Sequence, residues 1–351
     1  MGISQKRGLY RVPSRPVVCS RRSSVQELYS SIVAGSSKKA RKESREALPL
    51  TRIKLGINTG FAINRFPEPE VWTRIVREEL DLSYVQFTAD LLNPFLPQDV
   101  VRDQLDRLKA CIKRYELTID TTFTSTFTRV NHLLHPDAAT RKVWLGWFKK
   151  WADISAELGA KGTGAHFGIF SVSDYENEAR RNALLEEAVQ SWQAIAEHCK
   201  TLGMEFLIFE PMSVPRELGW TMADTDDLLA RVNRGSAIPM KLCLDIGHAP
   251  HPDERDPYVW LERFARVSPV VHLQQTESGH SRHWPFTKEY NEKGIIRAER
   301  VLELIHAAGV DEVMLAFEIA HRERFPDDLK VVSDLKESAC YWRDAIRASY
   351  Q

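Results

Sequence analysis

From residue 52 onward, short runs rich in β-branched and aromatic residues alternate with longer stretches whose apolar side chains recur at i, i+3, i+4 and i+7. The first pattern is that of a buried strand and the second that of an amphipathic helix. Strands are predicted over 53–58, 84–88, 117–123, 162–167, 206–210, 241–245, 270–274 and 313–318. Helices are predicted near 71–76, 98–115, 141–158, 175–202, 228–232, 260–267, 301–308 and 327–350. Eight strand–helix units over about 300 residues predict an α/β fold, a (β/α)8 TIM barrel in preference to an open doubly wound sheet. No Gly-rich turn of the P-loop or dinucleotide type follows any of these strands, which weakens nucleotide binding. The connection over 275–294 is long and follows a strand, so it is placed as a functional loop at the catalytic face.

The first fifty residues break this pattern. They carry eleven Lys/Arg against three acidic residues and are crowded with serine, as in Ser20-Arg21-Arg22-Ser23-Ser24. With few large apolar residues they are expected to form a disordered leader, an organelle transit peptide being the alternative. Residues 51–351, the predicted catalytic barrel, are then net acidic, with 37 Lys/Arg against 45 Asp/Glu. That balance argues against nucleic acid as a partner. The apolar runs are too short to span a bilayer, so no membrane partner is expected either. Five scattered cysteines without a Cys-x-x-Cys pair read as a reduced, cytoplasmic protein without a thiolate metal site.

Chemistry concentrates where four consecutive strands end: Glu210, Asp245, His272 or Gln274, and Glu318. In a parallel barrel these ends meet at one half of the mouth. Side chains alternate along a strand, so His272 and Gln274 share a face, the barrel interior. Carboxylates buried that close together repel unless a cation or protons neutralise them. Three acids and an amide oxygen make an oxygen-rich set suited to Mn²⁺, with Mg²⁺ or Co²⁺ as alternatives, more than to thiolate-bound zinc.

The segments Ile208-Phe209-Glu210-Pro211, Leu244-Asp245-Ile246-Gly247-His248, His272-Leu273-Gln274 and Phe317-Glu318 resemble, in order and spacing, the metal and catalytic motifs of xylose-isomerase-like barrels. The resemblance covers about residues 52–350. It implies that Glu210 and Glu318 both bind metal and shuttle a proton, that Asp245 is a ligand, and that His248 contacts substrate oxygens. At the strand-seven position it implies Gln274 as ligand, with His272 beside it as the alternative. Gly279-His280-Ser281-Arg282-His283 matches a loop whose basic residues touch substrate in relatives, which puts Arg282 and His283 in the substrate site. His166, ending the fourth strand, is a further substrate candidate. Arg65, His321, Arg322 and Arg324 are weighed for a phosphate, and His132 and His135 are read as structural.

The opening segments Gly56-Ile57-Asn58-Thr59-Gly60-Phe61 and Gln86-Phe87-Thr88-Ala89-Asp90 look similar to the tetrulose-phosphate epimerases of erythritol catabolism. That likeness implies a metal-dependent isomerase that moves a proton beside a ketose carbonyl and interconverts L- and D-erythrulose 1-phosphate. The same site would also serve a hydroxypyruvate-type or other aldose–ketose isomerase, or an inosose-type dehydratase. From other classes, an endonuclease-IV-like repair enzyme is disfavoured by the acidic barrel, and a non-catalytic sugar-binding barrel by the retention of both glutamates. Homodimers are common in the superfamily.

Overall fold

A computed structural model describes residues 50–351 except 125–127, 250, 322–326 and the side chain of 329. Eight strands form a closed parallel barrel in simple chain order: β1 (Arg52–Asn58), β2 (Tyr84–Thr88), β3 (Thr118–Phe123), β4 (Gly162–His166), β5 (Phe206–Glu210), β6 (Met240–Asp245), β7 (Val270–Leu273) and β8 (Glu312–Phe317). The seam is the longest pairing, with Arg52 to Ile57 of β1 laid against Glu312 to Phe317 of β8. Close approach is built in by small residues. A Cβ on Gly164 would stand 1.7 Å from the Ile208 carbonyl oxygen, so only glycine lets β4 sit there.

The helices follow as α1 (Pro69–Arg74, continued by a π turn), α2 (Gln98–Arg114), α3 (Ala138–Glu157), α4 (Val172–Glu176), α5 (Glu178–Thr201), α6 (Met222–Asn233), α7 (Pro257–Phe264), α8 (Lys288–Lys293), α9 (Ala298–Ala308) and α10 (Asp328–Ser349). Short polar side chains start several of them. Asp137, Asn177, Thr221, Asp256 and Asp327 each accept a backbone N–H of the first turn. The helix predicted over 175–202 is in fact two. Asn177, in an extended conformation, caps α5 and separates it from α4. The long 275–294 connection is also more ordered than its composition suggests. Gln275 and Trp284 exchange backbone hydrogen bonds as an isolated bridge, and α8 follows. The expected leader lies outside the described residues but for Leu50, as do Arg322 and Arg324.

Apolar side chains fall in two layers. One fills the barrel interior with Phe123, Phe206, Ile208, Cys243, Val270, Met314 and Ala316. The other packs strands against helices and holds the fully buried Trp72, Trp147, Trp151, Trp192 and Trp342. At the N-terminal end of the barrel, the buried ammonium of Lys54 lies 2.6 Å from Asp120 Oδ1 and also pairs with Glu312. Arg52 and Lys161 reach the same Glu312 from outside. Among the described residues no helix is long and apolar enough to cross a membrane.

Candidate active site

The interior layer leads straight to the polar groups. Stepping two residues along each strand takes Phe206 and Ile208 to Glu210, Cys243 to Asp245, Val270 to His272 and Gln274, and Met314 and Ala316 to Glu318. Strand alternation therefore aims all five side chains into the barrel mouth. Glu210, Asp245, His272 and Glu318 each bring one ligand atom into a group whose members lie within 4.8 Å of one another. A second such group is Asp245, His248 and His283.

His272 is fully buried at the floor of this cluster. Its Nδ1 lies 3.2 Å from Glu210 Oε1 and 3.1 Å from Glu318 Oε2. Its Nε2 lies 2.6 Å from Gln86 Oε1 and 3.1 Å from Cys243 Sγ. The Gln86 oxygen is fixed in that direction by a 2.8 Å bond from Asn58 Nδ2. Both ring nitrogens thus face acceptors, which favours the doubly protonated imidazolium. Burial opposes that charge, but the Cys243 sulfur, Glu318 and Glu210 outweigh it and hold His272 well above the usual histidine range. The two glutamates diverge. Burial and the neighbouring Glu318 charge push the Glu210 carboxyl up. Burial also acts on Glu318, but His272, His283 and His248 overcome it and hold that carboxyl well below the usual carboxylate range.

His248 is buried, with Nδ1 3.5 Å from Glu210 Oε1 and Nε2 3.7 Å from Asp245 Oδ2. Burial works against its charge, and Asp245, Glu210 and Glu318 raise its pKa in spite of it. Among the described residues its Nδ1 has no hydrogen-bond partner. The His283 ring stands edge-on to it at 5.4 Å, and His283 Nδ1 lies 3.1 Å from the Glu318 carbonyl oxygen.

Gln274 is placed differently from the expectation of an amide-oxygen ligand. Its Nε2 donates to Asp245 Oδ2 at 2.8 Å, and its Oε1 accepts the His283 backbone N–H at 2.6 Å. That backbone N–H can only donate, so it fixes the amide with its nitrogen toward Asp245. Gly247 makes room for this side chain, since a Cβ there would stand 2.3 Å from the Gln274 carboxamide carbon.

A cavity of about 290 Å³ opens onto the cluster. It is lined by Glu210, His248, His283, Glu318 and His166 together with Asn58, Phe123, Thr124, Arg129 and Met212. His166 is neutral there, because burial drives its pKa down to about 4 against the pull of the Val130 carbonyl. Arg282 is not in this cavity. It binds Glu277 within its own loop, Nε to Oε1 at 2.8 Å, and faces a neighbouring cavity with Trp284, His321 and Lys330. Arg65 is engaged with Asp328 and the His321 carbonyl. His132 packs against Trp144 and Phe148, and His135 Nδ1 accepts the Asp137 N–H, both structural contacts. Arg129, Thr124 and the Asn58–Gln86 pair are the lining and supporting groups that motif reading did not single out.

The donor set fits a hard divalent cation. Three carboxylates and an imidazole converge in a buried space that no Lys or Arg enters among the described residues of the cluster. An amide-oxygen contribution from Gln274 would need a half-turn that sets its NH₂ against the His283 N–H.

Comparison with known proteins agrees with this architecture. A D-erythrulose 1-phosphate 3-epimerase of Brucella abortus is 33% identical over 299 residues, 84% of this chain and 96% of that protein. A Rhodospirillum rubrum structure solved as a candidate xylose isomerase is 27% identical and covers 83% of this chain and 99% of its own, with a TM-score of 0.76. A D-psicose 3-epimerase of Clostridium cellulolyticum shares the fold at 16% identity, covering 84% of this chain and 99% of its own, with a TM-score of 0.64. The model of the xylose isomerase-like TIM barrel family matches residues 77–348. With a one-third-identical 3-epimerase spanning almost the same residues, the chain is an enzyme of the isomerase class and belongs to the xylose isomerase-like TIM barrel family.

Proposed function

We propose that this protein is a metal-dependent ketose epimerase that moves a proton on the carbon beside the carbonyl, with L- and D-erythrulose 1-phosphate as the pair it interconverts. The observation that carries the reading is the placement of Glu210 and Glu318, two carboxylates on either side of one imidazole N–H at the foot of a sugar-sized cavity. Epimerisation needs such a pair. One carboxylate removes the proton from one face of the carbon, the other returns a proton to the opposite face, and the charge between the steps rests on the substrate oxygens. His248 would donate to those oxygens, a reading supported by its place in the cavity lining and by an Nδ1 with no hydrogen-bond partner among the described residues. Asp245, Glu210 and Glu318 would hold a divalent cation, Mn²⁺ in first place, with His272 or a turned Gln274 as the fourth group. When bound, that cation supplies Lewis-acid polarisation of the carbonyl. His272 would serve in one of two ways, as a neutral ligand through Nδ1 or, with Gln274 as the ligand, as an imidazolium that orients both glutamates, and the Asn58–Gln86 pair keeps it from turning. The name of the Brucella abortus relative supports the choice of a tetrulose phosphate.

The test is proton NMR of L-erythrulose 1-phosphate with Mn²⁺-loaded enzyme in D₂O, the metal being removed before spectra are taken. The expected result is deuterium at the carbon beside the carbonyl with inverted configuration, lost in both Glu210→Gln and Glu318→Gln. Absence of exchange in the wild type rejects the tetrulose-phosphate assignment.

A further inference from the structure

The lining of the cavity is electrically lopsided. Its carboxylates, Glu210 and Glu318, stand at the ends of β5 and β8, whereas Arg129 lies on the loop after β3. Among the described lining residues it is the one Lys or Arg. Its guanidinium is aimed by Glu217, whose Oε2 accepts Nε at 3.1 Å and Nη2 at 2.8 Å. Glu217 is itself buried and does not line the cavity, so the brace stands behind the arginine with respect to the space a substrate would fill. A guanidinium carries five N–H donors, and one carboxylate oxygen engages only part of them.

A second observation points to a ligand at the same place. Thr124 lines the same cavity, is 1% exposed, and its hydroxyl has no hydrogen-bond partner among the described residues. Leaving a buried hydroxyl unmatched costs about 1–3 kcal/mol, so such a group is expected to have a partner when the site is filled. Arg282, the arginine that motif reading favoured for substrate, is turned away and bound to Glu277.

Resting on the epimerase reading, we infer that Arg129 and Thr124 form the subsite for the anionic end of the substrate, and so set a preference for a phosphorylated ketose over the free sugar. The carboxylate half of the mouth repels a phosphate, and the guanidinium half attracts it. A phosphate ester on the carbon next to the carbonyl carries its phosphorus three bonds from the carbonyl carbon. The anion can therefore reach across the cavity while the reacting carbon stays between Glu210 and Glu318.

The experiment measures kcat/KM for erythrulose 1-phosphate and for free erythrulose on the wild type, Arg129→Met, Arg129→Lys and Thr124→Val. Binding of inorganic phosphate to the same Mn²⁺-loaded proteins is followed separately by calorimetry. The expected result is a fall of about 30-fold in the phosphorylated-to-free ratio for Arg129→Met, expressed in KM, with partial recovery in Arg129→Lys. Thr124→Val lowers the ratio by about 5-fold, and it keeps the Arg129–Glu217 pair in case Arg129→Met fails to fold. Inorganic phosphate binds the wild type and not Arg129→Met. An unchanged ratio in the folded variants, or equal loss on both substrates, overturns the subsite, as does phosphate binding that survives Arg129→Met. A wild type that binds phosphate through Arg129 yet turns over neither ketose keeps the subsite and rejects the epimerase reading.

Discussion

The two ends of the barrel each gather buried acids, and they treat them in opposite ways. At the N-terminal end Asp120 and Glu312 are matched by Lys54, with Arg52 and Lys161 adding positive charge from outside. At the C-terminal end Glu210, Asp245 and Glu318 meet, among the described residues, histidines and amide donors. The lower end has closed its electrostatics within the chain. The upper end has three carboxylates and histidines of variable charge, an arrangement that an arriving cation and substrate would complete. A cluster of buried acids is thus informative through what stands beside it. Ammonium or guanidinium partners mark an architectural pair, and imidazoles facing a cavity mark a chemical one.

The contrast can be broken most sharply at Glu210. Glu210→Gln is expected to lower turnover by about 10³-fold, since it deletes one of the two proposed proton-moving groups. Its metal-free melting temperature should be at or above that of the wild type, because burial and the Glu318 charge both disfavour the carboxylate that is lost. A melting temperature several degrees lower would mean that the upper cluster is architectural after all. At the lower end, Lys54→Met strands the buried Asp120, while Glu312 keeps Arg52 and Lys161, and should cost about 3 kcal/mol in denaturant unfolding. The folded fraction should keep its kcat. Loss of kcat in fully folded Lys54→Met would erase the distinction between the ends.

The smallest effect concerns acid. His132 and His166 are buried and their pKa values lie below the usual histidine range, His166 at about 4. Burial is the largest cause in both. A histidine depressed in the folded state lends stability that is complete above its unfolded pKa, near 6.5, and is lost as pH falls toward 4. The unfolding free energy should decline across that window by up to about 1.4 kcal/mol per pH unit for each histidine. His166→Gln should flatten the decline, and an unchanged acid limb in that variant would show that His166 is protonated at no cost.

Most of the fold was legible in the sequence because periodicity reports burial. All eight strands fall within one residue of their predicted bounds, as at 206–210 for β5 and 313–318 for β8. The four strand ends that hold Glu210, Asp245, His272 and Glu318 follow from the same pattern, since strand alternation alone turns them inward. What periodicity could not reach lies in loops and in donor–acceptor logic. Arg129 sits outside any strand or helix, so no period marks it. The orientation of Gln274 is decided by a backbone N–H nine residues further on. The fate of Arg282 is decided by Glu277, which only the folded loop brings against it. The break between α4 and α5 hangs on the extended backbone of Asn177, a capping choice within an otherwise continuous helical pattern.

The seam between β1 and β8 also bears on how the chain reaches this state. Its partners stand 260 residues apart, Arg52 against Glu312, and the Tyr350 hydroxyl ties the far end of α10 to the Thr51 carbonyl and the Ile53 N–H. On the ribosome, β1 therefore keeps one bare edge until β8 has been made. During that interval it is a template for any other unpaired strand. Closure is a late event of high contact order, and the yield of active enzyme in a cell depends on how long that edge stays shielded.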